Sequence, residues 1–185
     1  MTRHLCTLSV LALLTVASVA VFVMSGRYPM GADVPHWQLT HWLLESLRER
    51  SIAHAAARIH VPPLDDPDML LSGGADYNDM CAACHLRPGE DSTDLKIGLY
   101  PSPPELTASA RSNADEQQKS RRQFWIIKHG IKASGMPAWG KTHDDQRIWA
   151  MVAFLKRLPE LTPTQYQIIT ARGKAQAEPD CHQRP

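Results

Sequence analysis

The chain has 185 residues, with 20 Lys and Arg against 19 Asp and Glu and a formal net charge of +1. That length suits one ordinary domain with extensions. The near-neutral balance excludes the basic footprint of a nucleic-acid binder, and four cysteines in a chain of this size do not make a disulfide scaffold.

Leu5 to Met24 is almost wholly apolar, and twenty residues at helical rise match the hydrocarbon core of a bilayer. A cleaved secretory signal is the rival reading, with Arg3 and His4 as a charged start and Ser18-Val19-Ala20 as a small-residue cleavage site. The apolar run continues through Val21-Phe22-Val23-Met24, which favours an uncleaved anchor. Arg3 and Arg27 flank the run too evenly for basic residues to set its orientation. Cys6 reads as a small residue of this segment. Residues 1–35 are therefore taken as anchor, or signal, plus a connector.

Trp37 to Ile59 has helical character: Leu39, Leu43 and Leu47 recur every fourth residue, with Trp42 beside them. Such a helix lies on a membrane, against a partner, or against its own domain, and periodicity does not choose among these. Trp37 and Trp42 are of the aromatic type found at membrane interfaces. His36, His41, His54 and His60 have no metal-site spacing and read as surface histidines. Residues 36–67 form an amphipathic helix and a Pro-rich linker, closed by Val61-Pro62-Pro63-Leu64-Asp65-Asp66-Pro67.

A helix is predicted from Asp68, capped by that side chain. It carries Gly73 and Gly74, which are costly in a helix unless something approaches the backbone there. It leads into Cys81-Ala82-Ala83-Cys84-His85, the spacing of c-type haem attachment. Each thiol adds across one haem vinyl group, so the two must lie a helical turn apart. The adjoining imidazole of His85 then falls beneath the ring centre as an iron ligand. A thioredoxin-like site does not require the histidine, and a zinc site needs a second ligand pair.

Residues 86–109 are loop-like, with prolines at 88, 101, 103 and 104. A polar start over 114–122 leads into an apolar stretch, Phe124 to Ile127, stopped by Gly130. Ser134-Gly135-Met136-Pro137-Ala138-Trp139-Gly140 follows. A lone methionine is usually core filler, but Met136 sits off any apolar stripe, between Gly and Pro. Electron-transfer haem iron has His on one face and Met on the other, so Met136 is the expected second axial ligand. His129, at a helix end, is its competitor. Asp144 or Asp145 opens the last long helix, which has Ile148, Trp149, Val152, Phe154, Leu155 and Leu158 at core spacing and ends at Pro159. Beyond Pro163 one more helical turn is expected, then a polar, disordered tail with Cys181 as an incidental or intermolecular thiol.

Cys81 to His85, Gly98 to Leu106, Phe124 to Lys132 and Gly135 to Gly140 together resemble class I cytochrome c, in particular the single-haem, membrane-anchored bacterial kind, over about residues 68–161. The resemblance implies an all-α fold around one covalently bound haem c, preceded by a transmembrane helix and an amphipathic linker helix, with 162–185 as a C-terminal extension. It implies that Gly73 or Gly74 marks the crossing of the first and last helices, with Tyr77 as aromatic neighbour. The carbonyl of Pro104 would accept a bond from His85. Tyr100 and Trp139 are candidates to line the haem or bond its propionates, with ordinary core filling as the alternative. The implied role is single-electron transfer to and from partner proteins, with no small-molecule substrate and no catalytic residue. The implied place is the bacterial inner membrane, single-pass, with the haem domain in the periplasm, or a soluble periplasmic protein after cleavage. A haem subunit of a larger respiratory or dehydrogenase complex is one alternative, and a haem catalyst or gas sensor with a displaceable sixth ligand is another.

Overall fold

A computed structural model describes residues 2–108 and 115–171. Eight α-helices account for its regular structure, with two short 3₁₀ turns, and no strand occurs among the described residues. They are α1 (Thr2–Met24), α2 (Gln38–Ala56), α3 (Pro67–Met80), α4 (Ala82–His85), α5 (Asp94–Gly98), α6 (Glu116–His129), α7 (Asp145–Arg157) and α8 (Pro163–Thr170). The expected all-α architecture is the one found.

The core is the crossing of α3 over α7. An ideal Cβ on Gly73 would fall 2.0 Å from the carbonyl oxygen of Ala150, so only a glycine lets the two backbones touch. Next to it, Gly74 leaves room for the Phe154 ring, which a Cβ would meet at 3.0 Å. Ile148, Val152 and Phe154 of α7, with Leu158 just after it, fill the interior and are fully buried, each contributing about 1.5–3 kcal/mol of apolar burial. Tyr77 packs on Phe154 at 5.3 Å, and Phe124 of α6 stacks on Trp149 at 4.1 Å between ring centroids.

Three boundaries differ from expectation. Asp66, not Asp68, caps α3: its carboxylate accepts the Asp68 N–H at 2.9 Å, with Pro67 in the first turn where a missing donor costs nothing. The 86–109 loop contains α5, nucleated by the Thr93 cap. Past residue 161 the chain forms α8, with a reciprocal Thr162–Gln165 capping box, and buries Tyr166 against α3 and Phe154. The packed unit thus runs beyond the 68–161 span to Thr170. Cys181 and the 172–185 tail lie outside the described residues.

At the other end, α2 docks on α6 by its C-terminal half. Ile52 and Ala56 are buried there, Glu49 pairs with Arg122 at 2.8 Å, and Arg121 donates to the Ala57 carbonyl at 3.4 Å. α1 has mean hydropathy 2.4 over its most apolar window and no buried residue in it, long and apolar enough to cross a membrane.

Candidate functional site

α3 ends in Tyr77-Asn78-Asp79-Met80, and the chain turns at Cys81 (φ −115°) into the single turn α4. The Cys84 and His85 N–H groups both donate to the Cys81 carbonyl, at 3.0 and 2.9 Å, which sets the two thiols and the imidazole on one tight turn. Ala82 is fully buried beneath it, where a larger side chain would push the turn off the core. Leu86 leaves the turn at φ +71°, an unfavourable backbone for a branched residue, and its side chain is fully buried, which holds it there. The Tyr77 hydroxyl donates to the Leu86 carbonyl at 2.7 Å and lies 3.2 Å from that of His85, so α3 also braces the exit. Burial pushes the Tyr77 phenol well above its usual range, keeping it a donor.

His85 Nδ1 lies 2.8 Å from the Pro104 carbonyl oxygen. A carbonyl only accepts, so Nδ1 carries the proton and a neutral ring has its lone pair on Nε2. Burial pulls the His85 pKa below the usual range, against the raising effect of the Pro104 bond, and the Lys96 ammonium lowers it further. Neutral imidazole is the form that binds a metal. Burial pushes the Cys81 thiol up to about 12, with the Asp76 and Cys84 charges acting the same way. That is the opposite of the depressed pKa a redox-active Cys-x-x-Cys thiolate needs. Thr93 ties the loop to this turn by donating to the Ala83 carbonyl while accepting the Lys96 N–H.

Met136 is half-buried and packs on the core cluster that includes Phe124, Trp149 and Tyr77. Its loop is fastened to the end of α6: Ile131 N–H donates to the Met136 carbonyl at 3.2 Å, and Ser134 Oγ accepts the Met136 N–H at 3.1 Å. Gly130 (φ +65°) makes that closure, since a Cβ there would lie 2.7 Å from the Met136 oxygen and from the Pro137 carbonyl carbon. His129 is exposed and packs on Trp125, with 4.9 Å between ring centroids. Trp139 is half-buried in a 3₁₀ turn, edge-on to His143 at 5.4 Å. His143 Nε2 is buried without a hydrogen-bond partner among the described residues. Tyr100 meets the N-terminal connector: its hydroxyl accepts the His36 N–H at 3.1 Å and its ring packs edge-on to His36. His36 is therefore no solvated surface histidine. Its Nδ1 is also 2.8 Å from the Tyr28 hydroxyl. No group of three or more His, Cys, Asp or Glu suited to a bare metal ion exists among the described residues.

A family model described as cytochrome c oxidase, cbb3-type, subunit III, matches residues 68–155. Residues 68–155 are a class I cytochrome c domain. No curated protein and no solved structure matches significantly. The matched span of this cytochrome c domain holds Cys81, Cys84, His85, Pro104 and Met136, together with the α3–α7 crossing. A cytochrome c domain carries covalently bound haem iron and works in electron transfer. The donor set fits that group: two thiols a turn apart and an imidazole with Nε2 as its acceptor nitrogen.

One brace of this domain has no sequence signal. Asp76, nearly buried on α3, accepts two bonds from Arg147 of α7, Nε at 2.6 Å and Nη2 at 2.8 Å. The Asp76 bond raises the Arg147 pKa still higher, so the guanidinium stays charged. Asp76→Asn keeps the shape but removes the charge. Because Arg147 is 44% exposed, a loss of about 2 kcal/mol is expected rather than the full cost of breaking a buried pair. A lower urea midpoint with an unchanged slope is the measurement.

Proposed function

We propose that this protein passes single electrons through one haem c held between His85 and Met136. α1 would be a single-pass anchor in a bacterial inner membrane, with the cytochrome domain in the periplasm. The observation that carries the reading is the Pro104-anchored imidazole placed directly after the two cysteines. The haem supplies an iron that takes up and gives back one electron. The chain's contribution is to hold that iron's surroundings still. Burial keeps His85 neutral and the Pro104 bond orients it, and the Gly130 closure would fix the Met136 thioether. With the His85 imidazole and the Met136 thioether both holding it, the iron would have no position left for a substrate. Tyr77, Leu86 and the α3–α7 core cover the inner side of the attachment turn, where Ala82 is buried.

The purified ferric protein should show a low-spin spectrum with a Met-to-iron charge-transfer band, and the ferrous form should not bind carbon monoxide at neutral pH. Carbon monoxide binding by the wild type would move the reading to a haem catalyst or gas sensor. Gly130→Ala tests the loop closure. Alanine at φ +65°, ψ −171°, a region essentially reserved for glycine, costs about 1–3 kcal/mol, and the backbone overlap about 1–3 kcal/mol more. The variant is expected to stay folded by circular dichroism while its ferrous form gains carbon monoxide affinity.

A second reading keeps the chemistry and makes the chain a haem subunit of a larger complex. The family model's own description, a subunit of a cbb3-type oxidase, favours it. Co-elution of the protein with oxidase subunits from mild detergent is the expected result, and elution alone would set that reading aside.

A further inference from the structure

α2 carries two apolar stripes rather than one. Ile52 and Ala56 face the cytochrome domain, with Glu49 paired to Arg122. Leu39, Trp42, Leu43 and Leu47 are 74%, 62%, 57% and 65% exposed. At 3.6 residues per turn the second stripe lies roughly 140° around the axis from the first. The two acids of α2, Glu45 and Glu49, fall on the domain side, whereas Arg50 continues the outward stripe. The outward face is therefore apolar, and the exposed Arg50 at its end borders the cleft with α6 beside Glu49 and Asp115.

The start of α2 is tied to the end of α1. Trp37 packs on Phe22 at 5.9 Å and on Tyr28 at 5.0 Å. Tyr28 and His36 in turn join Tyr100 of the cytochrome domain. The apolar helix, the connector and the domain thus meet at one clasp, which brings the outward stripe of α2 to where α1 would leave a bilayer.

We propose that the outward face of α2 rests on the surface of the membrane that α1 spans, with Leu39, Trp42, Leu43 and Leu47 entering the headgroup–acyl boundary. This rests on reading α1 as an anchor. A stripe of three leucines and a tryptophan, interrupted by Ser46 and lying beside a membrane exit, suits an interfacial helix. The consequence is a haem domain held flat on the bilayer at a fixed height, not one swinging on an eleven-residue tether at 25–35.

The test uses the full-length, haem-loaded protein with Cys6→Ser and Cys181→Ser, in vesicles of phosphatidylcholine and phosphatidylglycerol. A nitroxide is placed at Leu43→Cys or Leu47→Cys, and at Ser51→Cys about a quarter-turn off the stripe. Relaxation by dissolved oxygen is compared with relaxation by a water-soluble nickel chelate. The oxygen-to-nickel ratio should be several-fold higher at 43 and 47 than at 51. An equal ratio, with nickel dominant, would put the stripe in water and overturn the proposal. Exclusion of both reagents, with spin–spin broadening, would put a second copy there and overturn it equally. Intact mass tests the anchor separately. If α1 proves to be removed, the mature chain must still float with the anionic vesicles and must lose flotation in the Leu43→Glu, Leu47→Glu double variant; a mature chain that stays in solution overturns the α2 contact.

Discussion

Met136→Ala is expected to abolish the Met-to-iron charge-transfer band and to lower the midpoint potential by a sizeable part of the roughly 0.8 V that axial ligation can span. Met136 packs on the core and is clamped at its carbonyl and its N–H, so its backbone position does not depend on the side chain that is removed. A neutral thioether favours the reduced iron, and its loss leaves water or a stronger base in that position. The same variant should gain carbon monoxide binding in the ferrous form. Truncating a half-buried methionine costs about 2 kcal/mol of packing, so the domain should remain folded and the spectral effect should be readable. A Met136→Ala protein that keeps the band would remove Met136 from the ligand set. His129→Ala is the companion variant. It is exposed and packed on Trp125, and no change in band or potential is expected.

The second large effect is Gly73→Ala. On an exposed helix face alanine would stabilise by about 1 kcal/mol. Here its Cβ would sit 2.0 Å from the Ala150 oxygen, 2.4 Å from the Ala150 carbonyl carbon and 2.8 Å from the Met151 nitrogen. All three are backbone atoms of a helix and none can rotate away. Relief requires α3 and α7 to separate, which loosens Tyr77 on Phe154 and strains the Asp76–Arg147 pair. A net loss of about 3 kcal/mol follows, roughly 15 °C in thermal midpoint for a domain of this size. Gly98→Ala is the control: nothing lies within 4 Å of its Cβ, so a change near zero is expected. Equal midpoints for the two variants would mean that the crossing is not backbone to backbone.

How much of this could be read in advance depended on distance along the chain. The attachment turn was legible because covalent chemistry dictates the spacing of Cys81, Cys84 and His85 within five consecutive residues. The need for a close approach at Gly73 was legible from the cost of glycine in a helix, and the resemblance supplied a partner helix for it. The α3 cap was misplaced by two residues because Asp66 and Asp68 offer equivalent side chains, and only the position of Pro67 in the first turn separates them. Tyr100 is a candidate for the haem surroundings by residue type, and its contact with His36 of the connector, 64 residues earlier, has no signal in either segment.

The all-helical class came from the resemblance to class I cytochrome c, whereas the sequence by itself determined the spacing that covalent haem attachment needs, the apolar span of α1 and the existence of two glycines that demand a neighbour. These are local properties, set by periodicity and by reach along a few residues. Only the tertiary structure decided that Asp76 braces Arg147 across a separation of 71 positions, that α8 belongs to the core, that α2 turns one stripe inward and the other outward, and that His36 clasps Tyr100. Such pairings arise where packed helices happen to meet, and no pattern within either partner's own segment encodes the meeting.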